Sequence, residues 1–216
     1  MMEPDTIGEP AALSITADGT MTGRCSTYRK RVDELVGLHL DTSAFEALLA
    51  ADPGFVVYQV EESRVDEHQG GLVIGTSTIE PGRVGPEYFM TRGHLHSLAD
   101  RAELYYCLSG HGVMLMETID GRTRTVELTA GRAVHVPGSW IHRTVNVGSE
   151  RFSTLFCYPV DAGQDYGIIA AAGGMATLIV DDGRGGWTTR PNPHHRGYGD
   201  AGTSPRRTAD NGVVTA

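Results

Sequence analysis

Nothing in this sequence approaches the ~20 consecutive apolar residues of a membrane-spanning helix, so a helical membrane protein is excluded. The amino-terminal stretch MMEPDTIGEPAALS has neither a basic segment nor an apolar one after it, and export by a signal peptide is not expected. Cysteine is scarce: Cys25, Cys107 and Cys157 are odd in number, far apart and form no Cys-x-x-Cys pair. That leaves no disulfide framework and no zinc knuckle, and a reducing cytoplasm is the expected compartment. Positive charge is also short, with 18 Lys and Arg against 27 Asp and Glu and a net charge of −9. Such a balance opposes binding to phosphate backbones and to anionic surfaces, so neither nucleic acid nor a membrane is an expected partner. There is no internal repeat and no alternation of strand and helix patterns of the kind a parallel α/β sheet requires.

Glycine, by contrast, is abundant at 28 of 216 residues, about twice the usual ~7%, as many short strands joined by tight turns require. The runs FVVYQVE, GLVIGTSTI, ELYYCLSG, GVMLMETI, RTVEL, AVHVP, HRTVNV and FSTLFCYP are β-branched or aromatic, and turn-formers separate them. Asp120-Gly121 between GVMLMETI and RTVEL is a two-residue hairpin signal. The pattern predicts an all-β sandwich or small barrel. Before it, DTSAFEALLAADPG predicts one short helix, with Ser43 three residues before Glu46 in capping-box spacing and a stop at Pro53-Gly54. YRKRVDELVGLHL is read as a short helix or turn whose Arg29, Lys30 and Arg31 form a solvated face. A second helix is expected in GIIAAAGG. Residues 1–27 are expected to be a loosely ordered arm, 28–181 the single barrel domain, and 182–216 a disordered tail after a last strand at TLIVDD.

The chemistry concentrates in TRGHLHSLADRAELYYCLSG. His94 and His96 stand two apart, so on an extended chain both imidazoles project from one face, and Glu103 and Tyr105 repeat that spacing. Imidazole together with carboxylate suits a first-row divalent metal. His142, in VPGSWIHRTVN, is the fourth candidate ligand. The expected metal set is therefore His94, His96, Glu103 and His142, while His39, His68, His111 and His135 are read as structural and His194-His195 as solvated.

These spacings resemble the cupin signature. Its first motif has His-x-His, then Glu, then six residues and Gly, matched by His94, His96, Glu103 and Gly110. Its second is matched by Gly131, Pro137, His142 and Asn146. The chain departs at Ser139, where the motif has Gly, and in the six residues between His96 and Glu103, where three or four are usual. With that wider gap, the segments TRGHLHSLADRAELYYCLSGHGVMLMETIDG, VPGSWIHRTVNVGSERF and YPVDAGQDYG are similar to the cupin-type glucose-6-phosphate isomerases best known from archaea, over about residues 32–181.

The resemblance implies a cupin jelly-roll barrel with short flanking helices, acting as a metal-dependent aldose–ketose isomerase on a sugar phosphate, and a homodimer. It implies one divalent ion per subunit, iron first, with Mn, Ni or Zn as alternatives. Glu103 would link metal and substrate, with Tyr105 beside the sugar. Ser77, Thr91 and Gly93 match positions that hold the phosphate, and Tyr58, Tyr158 and Tyr166 match further pocket residues. Gln164 departs from the family's Asp-Ala-Gly-His-Asp-Tyr-Gly by standing where that histidine is, and an amide cannot take a proton near neutral pH. Two rival readings stay open at this level. One is a cupin dioxygenase or decarboxylase on the same ligands, and the other a non-catalytic sugar-binding cupin.

Overall fold

The structure is a computed structural model and describes residues 9–64, 68 and 70–199. In chain order the strands are β1 (Ser14–Ile15), β2 (Met21–Thr22), β3 (Ser26–Arg31), β4 (Val56–Arg64), β5 (Leu72–Ile79), β6 (Arg83–Val84), β7 (Glu87–Tyr88), β8 (Glu103–Ser109), β9 (His111–Glu117), β10 (Thr123–Thr129), β11 (Ala133–Val136), β12 (Ile141–Asn146), β13 (Phe152–Pro159), β14 (Thr177–Asp181) and β15 (Trp187–Pro191). Two helices interrupt them, α1 (Thr42–Ala51) and α2 (Gly167–Ala171), together with a 3-10 turn over Val32–Leu35.

Among the described residues every strand pairing is antiparallel. A six-stranded sheet runs β11-β8-β13-β5-β4-β3, a three-stranded sheet β10-β9-β12 and a smaller one β15-β14-β7-β6. The main core lies between the first two, where Tyr105, Cys107, Phe152, Phe156 and Tyr158 meet Met114 and Met116 of β9. The alternate residues of β9, Val113 and Leu115, face a second core with Ile141, Val145, Ile168, Ile169 and Ile179. Both faces of β9 are thus buried, which is why GVMLM reads as a continuous apolar run rather than an alternation. Antiparallel sheets facing one another around a shared core form the expected mostly-β jelly roll.

The hairpin at Asp120-Gly121 forms with β9 and β10 in full register from Thr123↔Glu117 to Thr129↔His111. Four expectations need correction. The cap of α1 is Asp41, whose carboxylate accepts from the Ala44 N–H at 2.9 Å, and not Ser43, which lies inside the helix. In YRKRVDELVGLHL the short helix or turn forms only over Val32–Leu35, and the residues before it belong to the edge strand β3 (Ser26–Arg31). The part of the amino-terminal arm from residue 9 docks on the sheet, because Thr76 Oγ1 donates to the Gly19 carbonyl at 2.5 Å and Glu61 accepts from the Met21 N–H at 2.6 Å.

The largest correction is at the other end, where disorder was expected from residue 182. Strand β15 pairs along all of β14, from Thr177↔Pro191 to Asp181↔Trp187. Beyond it the Asn192 amide donates to the carbonyls of Gly173 and Met175 at 3.0 and 2.8 Å, His195 Nδ1 lies 2.8 Å from the Gly174 carbonyl, and the Tyr198 hydroxyl donates to buried Glu117. The segment is poor in aliphatics because hydrogen bonds hold it, and composition is blind to those. Residues 200–216 lie outside the described residues.

Candidate metal centre and substrate pocket

Strand alternation builds the centre. On β8, Glu103, Tyr105 and Cys107 are buried while Leu104 and Tyr106 are exposed, and on β12 His142 and Thr144 share one face. His94 and His96 lie on an extended segment clamped to β12 by reciprocal bonds, His94 N to the His142 carbonyl at 3.1 Å and His142 N to the His94 carbonyl at 3.0 Å. The result is one cluster, with ligand atoms of His94, His96, Glu103 and His142 all within 4.8 Å of one another.

The donor set fits a cation. His96 Nδ1 sits 2.9 Å from the Arg101 carbonyl and His142 Nδ1 3.0 Å from the Trp140 carbonyl, so each of those rings places its proton on Nδ1 and turns the lone pair of Nε2 inward. Those lone pairs face Glu103 Oε2 at 3.2 and 2.9 Å, acceptor against acceptor, an arrangement that needs a positive centre between them. His94 Nε2 is 3.7 Å from the same oxygen, buried and without a hydrogen-bond partner. Electrostatics agree. Burial alone would raise the Glu103 carboxyl, but the surrounding imidazoles, His142 first, hold it well below the usual range. Burial and then the neighbouring His142 lower His94 to about 4. For His96 burial acts downward, and the bonds to Glu103 and to the Arg101 carbonyl outweigh it, leaving the ring raised.

One brace was not legible in the sequence. Arg101 grips Asp161 through Nε at 2.9 Å and a terminal nitrogen at 2.8 Å, and its carbonyl is the one that orients His96. This fork fixes the long segment between His96 and Glu103, and no spacing rule connects residues 60 positions apart.

The cluster opens onto a pocket with about 510 Å³ of empty space, counting its solvent-open mouth. Of the residues expected from sequence, Tyr58, Ser77, Thr91, Gly93, Tyr105, Tyr158 and Tyr166 all line it. Ser77 Oγ is buried without a partner, a hydroxyl with free bonding capacity. The Thr91 hydroxyl lies 3.3 Å from that of Thr144. Gly93 has φ +73°, and a Cβ there would come within 2.9 Å of the His142 carbonyl, so the position requires glycine. The Tyr105 ring packs 5.9 Å from that of His142, Tyr158 5.6 Å from His96 and Tyr166 5.7 Å from His94. The Tyr166 hydroxyl donates to the Gln164 side-chain carbonyl. Sequence reading missed Tyr28, Glu62 and Arg143, which also line the pocket; each reads as an ordinary strand residue, with no motif to mark it.

Comparison with known proteins agrees with this geometry. The family model described as glucose-6-phosphate isomerase (GPI) matches residues 29–196. A relative from Rhizobium meliloti (strain 1021), described as putative glucose-6-phosphate isomerase 1, is 46% identical over 189 residues, covering 87% of this chain and 88% of its own. A glucose-6-phosphate isomerase from Thermococcus gammatolerans is 43% identical over 165 residues, covering 76% of this chain and 85% of its own. Among solved structures, an oxalate oxidase aligns at a TM-score of 0.45 and 14% identity over 54% of this chain and 58% of its own. With a family model spanning most of the chain and relatives of this identity, the chain belongs to the glucose-6-phosphate isomerase family of the cupin type.

Proposed function

We infer that the chain interconverts glucose 6-phosphate and fructose 6-phosphate, as an enzyme of glycolysis and gluconeogenesis, with one divalent metal held by His94, His96, Glu103 and His142. The observation that carries this reading is the convergence of three imidazoles and one carboxylate within 4.8 Å in a chain of this family. Iron is the metal we favour, with Mn, Ni and Zn compatible with the same nitrogen and oxygen donors. When bound, the metal supplies Lewis-acid polarisation of the substrate oxygens. Ser77, Thr91 and Gly93 grip the phosphate through hydroxyls and backbone N–H, while Tyr58, Tyr158 and Tyr166 line the sugar.

The reaction moves hydrogen between C1 and C2. Glu103 takes that proton as general base and returns it to the neighbouring carbon through a cis-enediol, with Tyr105 packed beside it. A hydride shift with Glu103 as ligand alone is the competing route. Gln164 holds the sugar by hydrogen bonds, since an amide takes no proton. The buried free hydroxyl of Ser77 favours this isomerase over an oxygen-dependent or decarboxylating cupin, and the intact ligand set disfavours a purely sugar-binding one.

We further propose a cytoplasmic homodimer built from a single cupin domain. Among the described residues no helix is long and apolar enough to cross a membrane. The outer face of the six-stranded sheet exposes Leu72, Leu104 and Tyr106, with Leu155 opposite Tyr106 and Cys157 opposite both Leu104 and Ile74, an apolar surface of the kind that a second copy covers. Light scattering at twice the monomer mass is the expected result, and a monomer refutes it. For the activity, turnover of glucose 6-phosphate in metal-loaded protein, lost with EDTA and restored by metal, is expected; no turnover in metal-loaded protein refutes it.

A further inference from the structure

Arg143 is an unusual residue for the middle of a β-barrel strand. Its side chain is only 5% exposed, Nε has no partner, and among the described residues no carboxylate lies within ion-pair distance of it. Burying a guanidinium without an ion-pair partner is costly, so its remaining bonds carry information. One terminal nitrogen donates to the Met90 sulfur at 2.9 Å, and the other donates to the Arg92 carbonyl at 2.8 Å. Of the nearby carboxylates, Glu87 accepts from the Leu40 N–H at 2.7 Å through one oxygen and keeps the other buried without a partner, and Glu117 accepts from the N–H groups of Ala176 and Thr177 at 2.8 Å each.

The bond to the Arg92 carbonyl fixes more than that oxygen. In a planar trans peptide the C=O and the following N–H point in opposite directions. Tying the Arg92 carbonyl to the guanidinium therefore turns the Gly93 N–H away from Arg143. Among the described residues no group accepts from that N–H, and Gly93 lines the substrate pocket. The chain is pinned on either side of it, since Thr91 N donates to the Thr144 carbonyl at 3.0 Å and His94 N to that of His142 at 3.1 Å. Among the described residues no strand partner sets the orientation of the Arg92–Gly93 peptide.

We propose that Arg143 is a positioning residue for substrate phosphate: it holds the Arg92 carbonyl so that the Gly93 N–H is presented, preformed, to the phosphate in the pocket. The Arg143 guanidinium bonds the carbonyl side of that peptide, while other atoms of the residue line the pocket. The inference rests on the isomerase reading for its substrate.

The test compares metal-loaded wild type, Arg143→Met and Arg143→Gln by kcat and KM for glucose 6-phosphate, inhibition by inorganic phosphate, and metal content. Loss of a charge-assisted bond predicts a rise of roughly ten- to a hundredfold in KM and in the phosphate inhibition constant for Arg143→Met, with kcat and metal retained. Arg143→Gln, which can still donate to the carbonyl, recovers most of it. In zinc-loaded wild type labelled with ¹⁵N-glycine, inorganic phosphate should shift the Gly93 amide resonance downfield, a result that needs no variant to fold. Unchanged KM and phosphate inhibition in folded Arg143→Met, a glutamine variant no better than methionine, or an unmoved Gly93 amide each overturn the proposal. Wild type inactive on the sugar phosphate would instead overturn the isomerase reading.

Discussion

Glu103 sits buried where three imidazoles converge, its charge kept by those neighbours. It is the residue on which the two routes differ. Glu103→Gln preserves shape and an oxygen for the metal but cannot accept a proton, so the enediol route predicts a kcat lower by about 10²–10⁴ with KM little changed, in protein that retains metal. The hydride route predicts that the same variant keeps much of its rate and that turnover in D₂O places no deuterium in the product. His94→Ala tests the ligand set. Its Nε2 has no protein partner, so the substitution removes a metal bond and no hydrogen bond: elemental analysis should show the metal lost while circular dichroism shows the fold kept. Unchanged metal content would remove His94 from the set.

Among elements, the division of labour follows register. β8 and β12 present alternate residues to the centre, and the clamped segment from Thr91 to His96 supplies the rest. None of these elements stands alone, because β14 and β15 cover the second core behind β12. The Asn192 amide satisfies two carbonyls there, of Gly173 and Met175. Asn192→Ala leaves both without that donor and should cost about 1–3 kcal/mol, read as a lower urea midpoint with an unchanged slope; an unaltered midpoint would show that these two bonds contribute little to the fold.

The centre joins segments of chain that only the folded state brings together, so metal binding stabilises the whole molecule. At 100 times its dissociation constant a metal adds about 2.7 kcal/mol, and EDTA should lower the melting temperature accordingly. The pH dependence has a definite sign. Metal needs neutral rings and competes with protons. His94, lowered to about 4, stays neutral across the ordinary range, while His96 is raised. The metal-free fold gains from a protonated His96 below the ordinary imidazole pKa and loses that gain as pH rises through the raised value. The metallated fold gains in the opposite direction, so the gap between metallated and EDTA-treated melting temperatures should widen from pH 5 to pH 8; a constant gap would place the titrating ligand elsewhere.

By itself the sequence determined the strand-rich class, the Asp120-Gly121 hairpin and the His94, His96 and Glu103 part of the cluster, because each depends on spacings of a few residues along a chain whose side chains alternate. The tertiary structure decided what depends on partners far apart in sequence. Arg101 meets Asp161 and orients His96, Arg143 reaches the Arg92 carbonyl, and Glu117 holds Tyr198 from a stretch whose composition reads as disordered. Hydrogen bonds between buried groups leave no periodic trace. Apolar burial repeats with the period of its element and is therefore visible in the text, whereas a single polar contact between distant residues is specified only by the fold that brings them together.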